Sequence, residues 1–416
     1  MQSPDVSRSP VLGSFENSPD LDELKNRLIG LHSAPQSRPF NDQIIQMLRH
    51  LSKSLLASSE ARQTFPDAIA FGNWIRPSQI QKMRIQFSEM ELTQGGVRIP
   101  RGIAVHFAPG NVEALFAYSW VTSILAGCKT VVRLSSRAAT LTNFLLTAIQ
   151  ESAIATNCQP SWLFANYDRS NDEHTRILIA HSNVIFAWGG NATVSELASF
   201  ERDFDSHFVG FPDRESLLVL DAKTYGALSE DDRNSAAINA ARDIYTFGQA
   251  ACSSPRFIVW LGNQETVQAL SEDFYTRLGR LDSQINSFVA GEVVTRENYL
   301  FLLSAKSESG TRIRRYNSLV VVESESTDLR DISHPGLGIL VAFRADRLDQ
   351  VSTFLTPHDQ TLTHLGVAEE AFRQWLSTGS GPFPRRIARV GTALDFNSRW
   401  DGIELLQELT LITTID

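Results

Sequence analysis

One cysteine of this 416-residue chain stands in a setting that suits nucleophilic chemistry. The segment GQAACSSPR, residues 248–256, places Cys252 among small residues between a helical pattern and an apolar run. Small neighbours let a substrate approach the sulfur, and backbone N–H groups at such a junction can stabilise a thiolate and an oxyanion. The alternative is a small buried cysteine, the ordinary role of this residue in a protein core. The sequence context leaves both interpretations open.

A carboxamide in the turn at residues 108–111, which reads APGN, is a second candidate. Asn111 carries two N–H donors that could stabilise an oxyanion as it develops. The other interpretation is that Asn111 caps a helix beginning at Val112, a position that asparagine favours.

The segment Trp188-Gly189-Gly190 lies before a predicted helix and suits a phosphate-bearing cofactor. Glycines there let the backbone approach a phosphate at the helix N-terminus. The fingerprint GxGxxG is absent from the chain. An ordinary turn between a strand and a helix would have the same sequence.

The segment RLSS, residues 133–136, ends a predicted strand at a place where an adenosine ribose lies in many sheets of this kind. Arg133 offers a charged fork to a phosphate group, and Ser135 and Ser136 add hydroxyl donors. A solvated arginine is the alternative interpretation.

The elements that must position these residues alternate between strand and helix from residue 102 onward. Short apolar runs are separated by helical patterns, which indicates a parallel sheet with helices on both faces. Strands are predicted at residues 103–107, 130–134, from 161, at 183–187, 216–220 and 257–261, with weaker ones at 318–322 and 338–343. Helices are predicted at residues 112–126, 138–152, 171–180 and 231–247. The length favours two lobes.

The composition excludes several classes of partner. A net charge of −9 argues against a nucleic-acid surface, and no run approaches the ~20 apolar residues needed to span a bilayer. The start of the chain lacks the apolar core of a signal peptide, so a cytoplasmic enzyme is expected. Three cysteines without paired spacing suggest neither disulfides nor a metal site.

In their order and spacing, these segments resemble the aldehyde dehydrogenase superfamily, and more closely the LuxC-type acyl-CoA reductases of bacterial fatty-acid reductase systems. The motifs that carry the resemblance are PGN at 109–111, RLSS at 133–136, AWGG at 187–190, GQAACSSPR at 248–256 and WDG at 400–402. They span about 300 residues (109–402), and their order and spacing make the resemblance specific, with GQAACSSPR as the strongest single motif.

The resemblance implies an α/β, aldehyde dehydrogenase-like fold, with a doubly wound parallel-sheet cofactor lobe and a second α/β catalytic lobe. With the patterns above, it predicts a mobile tail at residues 1–20 and a cofactor-binding domain at 21–214. A catalytic domain is predicted at 215–384. Residues 385–416 are expected to return to the first lobe and to help subunits associate, so a homo-oligomer is expected.

The resemblance implies that Cys252 is the acyl-accepting nucleophile and that Asn111 is an oxyanion donor. Aldehyde-oxidising members carry a glutamate that activates water, whereas the comparable stretch here reads GFPDR at 210–214. Without such a base the acyl-cysteine should resist hydrolysis, which favours exchange with a thiol and reduction by hydride. Asp213 and Glu215 remain as carboxylates that could approach the site.

For the cofactor, the resemblance implies that Gly189 and Gly190 approach a pyrophosphate and that Arg133 and Ser136 lie near the adenosine ribose. A 2′-phosphate requires positive charge and no nearby carboxylate, so NADPH is the expected cofactor. A glutamate that oxidising members place near the nicotinamide ribose has no clear counterpart around residues 334–336.

The expected function is the NADPH-dependent reduction of an acyl thioester to the aldehyde through an acyl-cysteine. Acyl-CoA, a carrier protein or an acyl-delivering partner protein could supply the acyl group. A non-redox acyltransferase or thioesterase that uses the same cysteine is the alternative. A catalytically silent subunit is a third possibility, and the presence of both Cys252 and Asn111 argues against it.

Overall fold

The computed structural model describes residues 10–13, 18–110, 112–135, 140–282, 288–306, 311–379 and 381–414. Its contacts divide the chain into two compact units, Met1–Pro212 with Phe396–Asp416 and Asp213–Asp395. No helix within the described ranges has the length and apolar character needed to cross a membrane.

The strands follow one another along both units and are numbered in chain order. They are β1 Val11–Leu12, β2 Gly96–Pro100, β3 Ile103–Phe107, β4 Lys129–Leu134, β5 Trp162–Asn166, β6 Val184–Trp188, β7 His207–Phe211, β8 Glu215–Asp221, β9 Pro255–Leu261, β10 Arg312–Tyr316, β11 Leu319–Glu323, β12 Ile339–Ala345, β13 Asp359–Leu365, β14 Arg386–Arg389, β15 Arg399–Trp400, β16 Ile403–Glu404 and β17 Thr410–Thr414.

The α-helices are numbered in the same way, and among the described residues 3₁₀ helices accompany them at Thr246–Gln249, Thr327–Asp331 and Leu348–Phe354. The α-helices are α1 Leu21–Ser33, α2 Asp42–Ala57, α3 Ser59–Thr64, α4 Pro66–Trp74, α5 Pro77–Gln94, α6 Leu115–Leu125, α7 Thr140–Ala155, α8 Asp172–Ala180, α9 Asn191–Ser199, α10 Ala222–Ala227, α11 Glu230–Tyr245, α12 Gln264–Asp282, α13 Ala290–Lys306, α14 Glu369–Thr378 and α15 Leu405–Glu408.

The first unit contains a six-stranded sheet in the order β1-β5-β4-β3-β6-β7, and every pair in it is parallel. Strands β3 to β6 are apolar along most of their length and buried, as expected for a sheet covered on both faces. The chain runs outward from β3 through β4 to β5 and then returns to β6 on the other side of β3. Ligands bind at the carboxyl ends of strands beside such a reversal.

The edge of this sheet corrects the prediction for the N-terminal segment. Val11 and Leu12 form β1, which pairs in parallel with β5, and Leu12 joins the core cluster with Leu24 and Leu28. Two apolar residues that cover an open strand edge and bury a side chain are more stable than a solvated tail, because apolar surface is removed from water. This part of the predicted mobile tail is therefore an ordered strand, while residues 1–9 and 14–17 lie outside the described ranges.

The second unit contains a seven-stranded sheet in the order β10-β11-β12-β9-β8-β13-β14, in which only β10 runs antiparallel to its neighbour. Separate apolar clusters cover its two faces. Strand β14 pairs with β13, so residues 386–389 belong to this sheet and not to the predicted return segment. A short strand with arginine at both ends has little apolar pattern, and the sequence did not predict it.

Candidate active site

Cys252 lies in the loop between the 3₁₀ helix Thr246–Gln249 and β9, and its side chain is partly exposed. The other two cysteines, Cys128 and Cys158, are buried, with 1% and 4% of their surface exposed. Burial raises the pKa of Cys128 to about 12 and also raises the pKa of Cys158. Because the thiolate is the reactive form, accessibility and burial favour Cys252 over both of the others as a nucleophile.

The backbone before the cysteine adopts an uncommon conformation. Phe247, Gly248 and Gln249 have φ values of 57°, 60° and 65°, which places three successive residues in the left-handed region. For a residue with a side chain, this conformation costs of the order of 1–3 kcal/mol and persists only when the surroundings hold it. The surroundings here do so through side-chain hydrogen bonds.

The buried side chain of Gln249 supplies three of those hydrogen bonds. Its Nε2 donates to the carbonyls of Pro255, at 2.7 Å, and Ile339, at 2.9 Å. Its Oε1 accepts from the N–H of Gly338 at 3.0 Å. Gln249 thereby ties the cysteine loop to the first residues of β9 and β12. Gln249 belongs to the motif GQAACSSPR, and its role was not predicted from the sequence, although a carboxamide can donate twice and still accept.

Ser216 of β8 holds the cysteine itself. Its Oγ donates to the carbonyl of Cys252 at 2.7 Å and accepts from the N–H of Thr361 on β13 at 3.1 Å. The hydroxyl therefore joins two neighbouring strands and the backbone of the candidate nucleophile. No motif in the sequence marks Ser216, because it becomes relevant only through the pairing of β8 with β13.

A second left-handed segment packs against the first. Gly336, Leu337 and Gly338 have φ values of 79°, 56° and 69°, and the Leu337 N–H donates to the carbonyl of Gly248 at 3.3 Å. A Cβ at Gly336 would lie 3.0 Å from the carbonyl oxygen of Gln249, which is tighter than ordinary contact. Glycine at 336 is required both by its conformation and by this close approach.

His334 lies two residues before this second segment and is almost fully buried. Its Nδ1 accepts from the Gly336 N–H at 3.0 Å, so in the neutral ring the proton resides on Nε2. Burial, followed by the charges of Arg256 and Arg330, holds the pKa of His334 well below its usual range. The side chain is therefore a neutral ring that anchors the loop.

Glu215, which the sequence left open as a possible base, is held by two arginines. Its carboxylate lies 3.3 Å from Arg330 and 3.8 Å from Arg256, and Arg330 also forms an ion pair with Asp359 at 2.7 Å. Burial raises the pKa of Glu215, and the two arginines oppose that shift. A carboxylate that compensates buried cations is poorly suited to activating water, because ionic partners already occupy its oxygens. Asp213, the other carboxylate, is exposed.

The first unit contains an open cleft at the carboxyl ends of β3, β4 and β6. Six of the residues that line it are Phe107, Arg133, Thr175, Trp188, Leu197 and Phe200. Apolar residues form about half of the lining, and the carboxylates of Asp172 and Glu196 also belong to it, so the cleft is not free of nearby carboxylates as the sequence led us to expect. The cleft lies beside the reversal in strand order, where ligands bind in sheets of this kind. The sequence-predicted residues Arg133 and Trp188 are thus brought to one cleft, from two separate strands.

Arg133 is held in this cleft by Tyr167. Its guanidinium donates to the Tyr167 carbonyl at 3.1 Å and lies 5.4 Å from the centre of the Tyr167 ring. The Tyr167 hydroxyl lies 3.2 Å from Oγ1 of Thr175. Burial lowers the pKa of Arg133, yet an arginine stays charged at any ordinary pH. The sequence did not indicate Tyr167 as a support for the arginine.

Gly189 and Gly190 lead from β6 into α9. A Cβ at Gly189 would lie 3.2 Å from the side chain of Thr193, so glycine allows the turn to pack closely on the helix. Gly190 is the N-cap residue of α9, and a glycine has no side chain that could cap the helix. Such an N-terminus can accept a phosphate.

Two candidates cannot be placed. Asn111 and Ser136 lie outside the described residues, whereas Ser135 follows β4 and is partly exposed. Helix α6 begins at Leu115, with Ala114 as its N-cap, rather than at Val112 as predicted. The N-cap position that the second interpretation assigned to Asn111 is therefore occupied by another residue.

Comparison with known proteins decides the family. The model of the family described as acyl-CoA reductase (LuxC) matches residues 90–412, which is more than half of the chain. The chain belongs to the LuxC family of acyl-CoA reductases. The resemblance found in the sequence motifs is thereby confirmed.

Among curated relatives of this LuxC-family chain are two long-chain acyl-protein thioester reductases. The one from Aliivibrio fischeri is 26% identical over 170 residues, which is 39% of this chain and 33% of the relative. The one from Photorhabdus laumondii is 25% identical over 166 residues, or 40% of this chain and 33% of the relative. The matched part of the chain thus spans about a third of the length of either relative.

The fold is that of the aldehyde dehydrogenases. A putative aldehyde dehydrogenase from Burkholderia cenocepacia matches with a TM-score of 0.69 at 13% identity, covering 97% of this chain and 92% of that one. An NAD-dependent aldehyde dehydrogenase from Sinorhizobium meliloti matches with a TM-score of 0.68 at 12% identity, covering 95% and 87%. The predicted fold class is confirmed.

Proposed function

We propose that this LuxC-family chain reduces an acyl thioester to the aldehyde with NADPH, through an acyl group carried on Cys252. The observation that carries the proposal is the contrast among the cysteines. Cys252 is accessible in a loop that Gln249 and Ser216 hold, whereas Cys128 and Cys158 are buried. The curated relatives are named acyl-protein thioester reductases, which agrees with a thioester substrate.

In the first step, the thiolate of Cys252 attacks the carbonyl carbon of the thioester, and the bond to the carrier sulfur breaks. The carrier leaves as a thiolate, and the acyl group becomes a thioester of Cys252. The N–H of Cys252 and the carboxamide of Asn111 are proposed to donate to the oxyanion of the tetrahedral intermediate.

In the second step, the acyl-cysteine is reduced to a thiohemiacetal and then collapses to the aldehyde, which restores the thiolate of Cys252. When bound, the reduced nicotinamide supplies the hydride for this reduction. Glu215 is paired with Arg256 and Arg330, which disfavours its use as a base for hydrolysis and leaves the acyl-cysteine available for reduction.

The cleft of the first unit fits the adenosine end of a dinucleotide. Arg133 offers positive charge, the rings of Trp188 and Phe200 offer apolar surface for the adenine ring, and the glycine turn before α9 lets the backbone approach the pyrophosphate. We therefore propose that Arg133, Ser135, Ser136, Trp188, Gly189 and Gly190 bind NADPH.

The decisive experiment follows acylation and reduction separately. Purified protein is incubated with acyl-CoAs of several chain lengths, with or without NADPH, while mass spectrometry records the acyl adduct and a second assay records aldehyde. We expect an adduct on Cys252 without NADPH and aldehyde with it. The Cys252→Ala variant should form neither product while still binding NADPH, and Cys128→Ser and Cys158→Ser serve as matched controls.

The same experiment separates the alternatives. Acylation followed by transfer or hydrolysis, with no binding of NADPH, would indicate a non-redox acyltransferase or thioesterase. Failure to form any adduct with an acyl-CoA or with an acylated carrier protein would support a silent subunit. If the chain reacts with the acylated carrier protein and with none of the acyl-CoAs, its acyl donor is a protein.

We further propose that the chain forms a homo-oligomer through the ribbon of β2 and β17. These strands pair in an antiparallel register that aligns Ile99 with Leu411, and both side chains are exposed, as is that of Val97. An isolated two-stranded ribbon with an apolar face is poorly stable in water unless another surface covers it. Light scattering should show an oligomer, and Ile99→Lys with Leu411→Lys should dissociate it.

A further inference from the structure

The cleft of the first unit contains a second arginine that the proposed function does not use. Arg169 lies in the loop after β5, at the N-terminal side of α8, and lines the same cleft as Arg133. Burial is the largest cause of the lowered pKa of Arg133, and the charge of Arg169 lowers that pKa further, whereas Tyr167 and Asp168 oppose the shift. Both arginines bring positive charge to the same cleft.

Arg169 is engaged by a carboxylate from the opposite helix of the cleft. Its Nη2 lies 2.6 Å from Oε2 of Glu196 on α9, and both side chains line the cleft. About half of each side chain is exposed, at 58% and 46%. An ion pair that is this accessible to water contributes only about 0–1 kcal/mol, so an incoming anion can replace the carboxylate at little cost.

We propose that Arg169 is a second ligand of the 2′-phosphate of NADPH and that Glu196 competes with that phosphate for it. Glu196 is then a specificity-determining residue. Its carboxylate stays paired with Arg169 when the bound nucleotide lacks the 2′-phosphate, and the 2′-phosphate displaces it when NADPH binds. A phosphate dianion accepts charge-assisted hydrogen bonds from two guanidinium groups better than from one. This inference rests on the proposed binding of a dinucleotide in the cleft.

The proposal is tested by equilibrium binding of NADPH, NADH and two fragments, 2′,5′-ADP and 3′,5′-ADP. The fragments separate a 2′-phosphate from the 3′-phosphate that coenzyme A carries. Arg169→Ala should weaken the binding of NADPH and 2′,5′-ADP by about tenfold or more, because a charge-assisted hydrogen bond is lost. The affinity for NADH should change by less than about twofold. Glu196→Gln should strengthen the binding of NADPH by about two- to fivefold, since the competing ion pair is removed.

A double variant shows whether Glu196 acts through Arg169. If it does, Arg169→Ala with Glu196→Gln should bind NADPH as weakly as Arg169→Ala alone, because no arginine remains to be released. The matched control is the exposed pair of Arg373 and Glu369 in the second unit, which has the same 2.6 Å separation. Glu369→Gln and Arg373→Ala should leave all four affinities unchanged.

The outcomes separate this inference from the proposed function. Wild-type protein that binds neither NADPH nor NADH would overturn both. Binding of both dinucleotides with no change of their ratio in Arg169→Ala or Glu196→Gln would overturn only the assignment of the second ligand. If these variants change the affinity for 3′,5′-ADP and leave that for 2′,5′-ADP unchanged, the assignment is also overturned, because Arg169 and Glu196 would then recognise a different phosphate.

Discussion

The hydroxyl of Ser216 donates to the carbonyl of Cys252 at 2.7 Å, so a residue of β8 fixes the backbone of the candidate nucleophile. The same hydroxyl accepts from the N–H of Thr361, which makes the position of Cys252 depend on the pairing of β8 with β13. Chemistry on the loop therefore depends on the order of the strands beneath it.

The first prediction concerns that hydroxyl. Ser216→Ala removes one hydrogen bond worth about 0.5–1.5 kcal/mol, so acylation of Cys252 by an acyl-CoA should slow by roughly two- to tenfold. Single-turnover mass spectrometry measures the rate. Ser271→Ala, at another buried serine of the second unit, should leave the rate unchanged. An unchanged rate in Ser216→Ala would show that the carbonyl is held well enough by other contacts.

The second prediction concerns Gln249. Gln249→Leu leaves the Gly338 N–H and the carbonyls of Pro255 and Ile339 without this partner in a buried place. Urea unfolding should show a loss of at least about 2 kcal/mol, and the folded variant should acylate slowly. The exposed Gln374→Leu is the control. Stability equal to that of the wild type would mean that the left-handed segment does not need the carboxamide.

The third prediction concerns Asn111. If its carboxamide donates to the oxyanion, Asn111→Ala should lower turnover by roughly 10²–10³ with little effect on the affinity for NADPH. Steady-state kinetics and nucleotide binding measure the two effects. A variant that lost only thermal stability, with turnover unchanged, would contradict the catalytic role.

The fourth prediction concerns Arg133. Because only NADPH carries the 2′-phosphate, Arg133→Ala should reduce the preference for NADPH over NADH by roughly 10- to 150-fold. Ser136→Glu should shift the preference in the same direction by repelling the phosphate. Equal losses for both nucleotides would place Arg133 against a shared part of the dinucleotide, and a wild-type preference for NADH would contradict the cofactor assignment.

The fifth prediction concerns pH and the buried Asp243 of α11. Burial raises its pKa to about 6 from 3.8, although its carboxylate accepts from the N–H groups of Gly391 and Ala393. The folded state therefore binds the proton more tightly than the unfolded state does. The contribution of Asp243 to stability is present below pH 3.8 and is lost as the pH rises through about 6.

The measurement compares urea unfolding of the wild type and Asp243→Asn at several pH values. As the pH rises from about 4 to about 6, the wild type should lose stability relative to Asp243→Asn. Above about pH 6, the difference between the two free energies of unfolding should stay constant. A difference that does not change with pH would mean that the carboxyl titrates normally.

Much of the architecture follows from the sequence, because strand and helix patterns depend on residues close together in the chain. Strands β3 to β6, β8 and β9 were predicted within a few residues, and order and spacing of motifs such as residues 248–256 sufficed for the family. Several strands with a weak apolar pattern were not predicted, and β1, β7, β13 and β14 are examples. Their pairing with neighbouring strands is a tertiary contact that no local pattern contains.

The sequence by itself determined the family and the fold class, and it indicated Cys252 as the candidate nucleophile. Only the tertiary structure decided which groups hold that cysteine, since Ser216, Gln249 and Gly336 are separated along the chain and meet only after β8, β9 and β12 pair. The same holds for Glu196, whose carboxylate reaches Arg169, in the loop after β5, from helix α9. A hydrogen bond or ion pair between distant residues depends on strand order and helix packing, and these are properties of the folded chain as a whole.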